Sequence, residues 1–343
     1  MSGFRLTRND GLLLLMTVIW GANYSIVKVA LRDIPPLAFN SLRLGFASLL
    51  FLITLALCRR SEDARPGGAD AESAPPPRPT AAFAEAREAG PTDHPPVFRR
   101  SRISARDWVL ISAFGLIGHF VYQICFMVGL DKTTAANSSL ILGCSPVVVA
   151  MLSAALGHER VTRVHWAGAA LSVAGIYLVV GRGAHIGGAS VAGDLLTICG
   201  LFCWGAYTVG AKGLLDRHSP LEVTGYSMAI GSIPFIWLGL GQLANLAWKR
   251  VPADAWVALV FSATFALFVA YLIWYVAVQR IGNIRTAMYS NVTPIAALAF
   301  AVLWLGERLR TEEGVGAAAI LTGMALTRLT AGTPARSAAP AEE

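Results

Sequence analysis

Long apolar stretches of this chain carry polar and aromatic side chains at helical spacing. His119, Tyr122, Gln123 and Phe126 fall at i, i+3, i+4 and i+7, one face of a helix. Trp20, Asn23 and Tyr24 share a face upstream, as do Trp204, Tyr207 and Thr208 downstream. Asn137 with Ser138, Tyr289 with Asn291, and Arg43 sit in similarly apolar surroundings. Such groups donate and accept hydrogen bonds and offer flat apolar walls, which is the chemistry of holding a small molecule. Bond-making would need a nucleophile beside its base, paired acids, or a His/Cys/Asp cluster at ligand spacing, and the sequence sets no such group together.

A polar group turned toward lipid costs several kcal/mol, so these faces should point inward around a shared cavity. The positions matching the His119 face 148 residues later are Leu267, Ala270, Tyr271 and Trp274. One wall then offers hydrogen bonds and the other aromatic rings, so the cavity is expected to be asymmetric.

The elements that position these faces are set by composition. Of 343 residues 55% are hydrophobic and only 14% charged, and the mean hydropathy is positive, so the natural solvent is a bilayer. Stretches long enough to cross about 30 Å of hydrocarbon run at 11–30, 36–58, 107–130, 134–156, 164–181, 194–213, 222–244, 255–278, 284–305 and 313–330. The expected fold is an all-α polytopic membrane protein of ten helices, with short connections and antiparallel neighbours.

The chain is also written twice. Trp20, Gly21, Ala22, Lys28, Leu31, Pro36 and Leu37 recur 184 positions later as Trp204, Gly205, Ala206, Lys212, Leu215, Pro220 and Leu221. Trp108, Pro146, Glu159, Arg160, Gly168 and Gly175 recur 148 positions later as Trp256, Pro294, Glu307, Arg308, Gly316 and Gly323. The change of offset marks an insertion in the first copy. Residues 59–106, rich in Pro, Ala and Arg, supply it and read as a disordered loop. The expected organisation is a first repeat over 1–182, interrupted by 59–106, a second over 183–331, and a disordered tail over 332–343. Five helices per copy is an odd number, so the second copy enters from the opposite side. That gives inverted repeats, an architecture that places transporter sites near the bilayer centre.

The first apolar run follows Arg5 and Arg8 but continues through Asn23 and Lys28 with no small-residue cleavage site, so it reads as a retained helix. Placing the N-terminus inside puts Arg5, Arg8, the arginines from Arg59 to Arg106, Arg160, Arg163, Lys212, Arg217 and Arg280 on the cytoplasmic side. The opposite loops receive fewer, among them Arg32, Lys132, Lys249 and Arg250. Both termini are therefore expected in the cytoplasm, and the net charge of +7 is mostly a topology signal. The bases of the loop are scattered, with few aromatic residues among them, so no nucleic-acid partner is expected.

These residues carry a resemblance. Each half resembles the EamA-type repeat of the drug/metabolite transporter superfamily, with WGANYSIVK and WGAYTVGAK in the opening helices, Arg43 in the second helix, Pro146 and Pro294 in each fourth helix, and LGHERV and WLGERL at its end. The resemblance implies a basket of helices with a cavity lined by the first, third and fourth helices of each half. It also implies export or exchange of small metabolites across the cytoplasmic membrane. The long loop and Ser227, where Arg43 would recur, depart from the pattern.

Several residues support more than one reading. Trp20 and Trp204 are cavity lining or interface belt, the belt being the better reading for Trp108, Trp248 and Trp256. Asn137, Ser138 and Thr208 are lining or interhelical glue, and Lys28 and Lys212 snorkel. Arg43 snorkels, closes a gate or meets a substrate carboxylate. Glu159 and Glu307 pair locally or act as a latch. His119, the only histidine deep in a helix, bonds substrate, carries a coupling proton or is structural. Every Asp and Glu is placed at a helix end, in a loop or in a tail, which disfavours cation export through a mid-membrane carboxylate. Cys58, Cys125, Cys144, Cys199 and Cys203 read as inert buried thiols. No cofactor, metal or catalytic residue is expected, and a monomer suffices. The readings are therefore an exporter or exchanger of amino-acid-like metabolites, against a membrane-embedded enzyme or a non-transporting bundle.

Overall fold

The computed structural model describes residues 8–64, 96–156, 188–290, 292–306 and 311–330, with scattered positions between 164 and 178. Every regular element among them is helical. The helices are α1 (Arg8–Ala30), α2 (Pro36–Asp63), α3 (Ala105–Lys132), α4 (Ala135–Gly143), α5 (Ser145–Ala155), α6 (Gly188–Leu215), α7 (Pro220–Ala244), α8 (Ala253–Ile281), α9 (Asn283–Tyr289), α10 (Val292–Leu305) and α11 (Thr311–Thr330). Seven stretches are long and apolar enough to cross a membrane, with α4 and α5 together making one of them; α10 and the middle of α11 are shorter apolar helices. The expected helix at 164–181 falls largely outside the described residues, as do Glu159, Arg160, Glu307, Arg308, Asn291 and the 332–343 tail.

Local sequence explains where helices begin and end. Ser104, Thr134 and Ser219 cap α3, α4 and α7, each accepting the backbone N–H three residues on, from Asp107, Asn137 and Glu222. Pro36 and Pro220 open α2 and α7, where a missing N–H does no harm. Gly282, with φ +85°, follows the end of α8, a conformation that glycine reaches without strain. Apolar side chains cover much of the outside, Leu303 being 85% and Trp237 72% exposed, a surface suited to lipid.

Packing explains the repeated Trp-Gly pair. α1 lies against α10, and a Cβ added at Gly21 would come within 2.5 Å of the Ala296 Cβ. α6 lies against α4 and α5, and a Cβ at Gly205 would come within 2.7 Å of a Val148 methyl. Each glycine admits a close approach that brings its neighbouring tryptophan inward. The helices α2 and α7 pack on each other along much of their length.

Two prolines break two spans. Pro146 follows the interruption between Gly143 and Ser145, and Pro294 follows the one between Tyr289 and Val292. The breaks meet, since a Cβ on Gly143 would lie 2.3 Å from Pro294 Cγ. α3 and α8 each contain a wide π turn, Leu116–Val121 and Ser262–Val269.

The edges of the 59–106 insertion differ from expectation. α2 continues to Asp63, and residues 96–104 are docked. Leu221 N–H donates to the Val97 carbonyl, and Ser101 Oγ donates to Glu222 and bonds His218 Nδ1 at 2.7 Å. Phe98 and Ile103 pack against the core. Apolar residues among the charges provide that anchoring; residues 65–95 lie outside the described set. Beside this strap Asp107 accepts from Arg217 and pairs with His218, while Arg59 reaches Glu222 and Tyr226.

At the other end, Lys28 does not snorkel into solvent. Its ammonium donates to the carbonyls of Leu130, Asp131 and Thr133, at the C-terminus of α3. Asp194 also departs from expectation: α6 begins at Gly188, which places this fully buried carboxylate inside a helix, where it accepts from Thr133 Oγ1 at 2.6 Å and Asn137 Nδ2 at 3.5 Å. Cys125 and Cys144 are buried, whereas Cys199 is exposed and Cys58 and Cys203 half-buried, all as free thiols.

Candidate functional site

A cavity opens where the two broken spans meet, with an empty volume of about 640 Å³ counted with the solvent at its mouth. Leu142, Gly143 and Ser145 line it from the α4/α5 break, and Ser290 and Thr293 from the α9/α10 break. Ser145 and Ser290 join their hydroxyls across it at 3.2 Å. Backbone that leaves the helix at membrane depth is tolerated where it lines a cavity, as here.

One wall is aromatic. The Trp20 and Trp204 rings meet edge to face at 5.6 Å, and Tyr271 stands 6.0 and 5.4 Å from them. Tyr122 leans on Trp204 at 5.5 Å, and Tyr24 meets Phe126 at 5.7 Å. Each such pair adds roughly 0.5–1.5 kcal/mol beyond its buried area, so the wall is held in place before any ligand arrives. Trp20 is fixed further by its indole N–H, which donates to the Ala266 carbonyl at 3.0 Å within the π turn of α8.

A hydrogen-bonded chain continues the lining from Tyr271. Arg43 donates to Ser262 Oγ at 3.0 Å and to Gln123 Oε1 at 2.7 Å. Ser262 in turn donates to Asn23 Oδ1 at 2.6 Å, and Gln123 Nε2 reaches the Tyr271 hydroxyl at 3.4 Å. Arg43 is 1% exposed and its guanidinium carbon lies 5.8 Å from the centre of the Phe126 ring, so it does not snorkel to the surface. Among the described residues no carboxylate lines the cavity.

The structure thus brings together Trp20, Asn23, Tyr24, Arg43, Tyr122, Gln123, Trp204 and Tyr271. It places the other expected residues that it describes elsewhere. His119 is fully buried behind the wall, with Nε2 3.0 Å from the Tyr207 hydroxyl and its ring 5.5 Å from Tyr271. It lies within the π turn Leu116–Val121, and its imidazole is taken up by Tyr207 and Ser227 on the far side from the cavity lining. Tyr207 bonds Ser227 at 2.7 Å in the same buried layer, and Trp274 backs Trp20 at 5.4 Å and Trp204 at 5.5 Å. Asn137 serves Asp194, and the Tyr289 hydroxyl donates to Asp10; neither lines the cavity. Asn291 lies outside the described residues.

Ser262, Ser290 and Thr293 escaped the sequence reading. A serine in an apolar helix is too common to single out, and only its position in a π turn gives Ser262 its role.

Comparison with known proteins gives this arrangement its context. A probable amino-acid metabolite efflux pump of Escherichia coli (strain K12) is 27% identical over 93% of this chain and 94% of its own length. A probable terminal-alkyne amino-acid exporter of Streptantibioticus cattleyicolor is 28% identical over 71% of this chain and 80% of its own. A solved crystal structure covers 94% of this chain and 98% of its own with a TM-score of 0.56 at 18% identity, a likeness of fold. The model of the EamA-like transporter family matches residues 8–70, 95–181 and 191–329, on both sides of the insertion and through all the cavity-lining helices. The bundle of apolar-surfaced helices formed by the described residues is accordingly that of a multi-pass membrane transporter, and the chain belongs to the EamA-like transporter family.

Proposed function

We propose that this transporter exports or exchanges small amino-acid-like metabolites across the cytoplasmic membrane, by alternating access to the cavity between Trp20, Trp204 and Arg43. The observation that carries the reading is the cavity's position, at the meeting of two proline-broken helices. Breaks of this kind, in corresponding places of two halves, are where secondary transporters hold substrate. The scaffold is ten spans in two inverted five-helix repeats, 1–182 and 183–331. Support for it comes from the matched Gly21 and Gly205 contacts, the paired prolines and the π turns in α3 and α8. Both termini are cytoplasmic, as the arginine distribution favours. Binding is assigned to Trp20, Asn23, Tyr24, Arg43, Tyr122, Gln123, Trp204 and Tyr271.

The strap and the Asp107, His218 and Glu222 contacts close one end of the bundle, and the Lys28 and Asp194 contacts the other. Access alternates as one set loosens while the other holds. The amino-acid class is favoured by the names of the two relatives above and by a cavity that pairs one cation with flat apolar walls. Counterflow in liposomes tests the reading. Protein-dependent accumulation of a labelled amino acid or derivative against preloaded unlabelled compound is expected, with loss in Trp204→Ala. Absence of counterflow across a broad panel would contradict it.

A further inference from the structure

A buried cation without a carboxylate partner is costly for a membrane protein to keep. Arg43 is such a cation: it is 1% exposed, and among the described residues no carboxylate lies within ion-pairing distance of its guanidinium. Only neutral oxygens answer it, Ser262 Oγ and Gln123 Oε1, and its Nε–H has no acceptor. A guanidinium presents five N–H groups in a planar fork that matches a carboxylate. Both neutral acceptors are themselves held, Ser262 by Asn23 and Gln123 by Tyr271, so the fork is oriented at the cavity wall before ligand binds. The half-helices α5 and α10 begin at the same cavity, at Ser145 and next to Thr293, and the positive ends of their dipoles add to the field.

The other pole of an amino acid meets nothing comparable. Among the described residues the lining contains no Asp or Glu, so an ammonium group would find only ring faces and neutral dipoles there. Cation–π contact of this kind is weak beside a desolvated charge pair.

From these observations we propose that the site recognises the carboxylate of its substrate through Arg43 and does not require the amino group, so that small aromatic or apolar monocarboxylates bind whether or not they carry an amine. The proposal rests on the cavity being the substrate site, and its test reads binding, which is independent of transport. The probes are 3-phenylpropionate, phenylalanine, phenylalaninamide and phenethylamine, titrated against purified protein by thermal stabilisation.

Both acids should stabilise the wild type, 3-phenylpropionate at least as well as phenylalanine, while the amide and the amine do so at least about thirtyfold more weakly, as expected when one partner of a buried charge pair is removed. Arg43→Gln should abolish the difference between acid and amide, and Arg43→Lys should restore part of it. Should Arg43→Gln fail to fold, the acid and amide pair on the wild type decides alone. Equal or stronger stabilisation by the amide or amine, or no response to either acid, would overturn the proposal. Binding of the acids without counterflow would leave it standing and count instead against the transport reading.

Discussion

Alanine in place of Gly21 tests whether the repeated Trp-Gly pair exists for close helix approach. The new Cβ would lie 2.5 Å from Ala296 Cβ and 2.9 Å from the Ala297 backbone nitrogen. Carbon atoms prefer about 3.5–4.0 Å, so α1 and α10 would have to part by roughly 1 Å. Overpacking of this sort costs about 1–3 kcal/mol, against about 1 kcal/mol gained by replacing a helical glycine with alanine. Gly11 in the same helix has nothing within 4 Å of an added Cβ, so there the gain stands alone. Gly205 is intermediate, because the atoms it would meet are side-chain methyls of Val148 and Leu152 that can turn aside. Thermal melting of the purified variants should rank Gly11→Ala above wild type, Gly205→Ala near it and Gly21→Ala below. The span from first to last should be a few degrees, since the entropy of unfolding per residue makes each kcal/mol worth roughly 1–2 °C in a chain of this length. Counterflow in Gly21→Ala should fall as Trp20 is carried away from Ala266. A Gly21→Ala protein as stable as Gly11→Ala would refute the close-approach argument.

Deleting residues 65–95 should leave folding and transport intact, whereas a deletion extended through residue 104 should lower the melting temperature, because it removes Phe98, Ile103 and the Ser101 bonds; equal stability of the two deletions counts against the strap. His119→Gln should leave apparent substrate affinity and the pH dependence of transport unchanged, while its lost bond to Tyr207 lowers stability by about 1–3 kcal/mol. A large affinity change on His119→Gln would return that residue to the site. A cysteine introduced at Ala81 should resist membrane-impermeant reagents in intact cells and react in inverted vesicles, and labelling from outside would reverse the assigned orientation.

Much of this was legible in the sequence, for identifiable reasons. Polar or aromatic residues at helical spacing betrayed the inward faces of α1 and α3, and the recurrence of Trp20 and Gly21 as Trp204 and Gly205 marked two helices with the same packing need. Arg43 drew notice because a cation in an apolar helix is costly, though spacing alone left it between surface and cavity. Spacing left His119 between a substrate contact, a coupling proton and a structural role, and only its bond to Tyr207 separates these, while Ser262 was missed because a serine in an apolar helix is common. Asp194 looked like a helix end because glycine and alanine at 188–193 are weakly apolar, yet α6 extends back through them. The strap at 96–104 was hidden by the composition around it, in which Phe98 and Ile103 are the few apolar anchors.

Access to the cavity from both sides is the claim on which the account turns, and Ser290→Cys tests it, since this hydroxyl lines the cavity at the α9/α10 break. In a protein whose five native cysteines have been replaced, the new thiol should react with a membrane-impermeant reagent applied to either face of the membrane, and a transported compound should slow both reactions. Modification from one face only, whether or not that compound is present, would contradict alternating access.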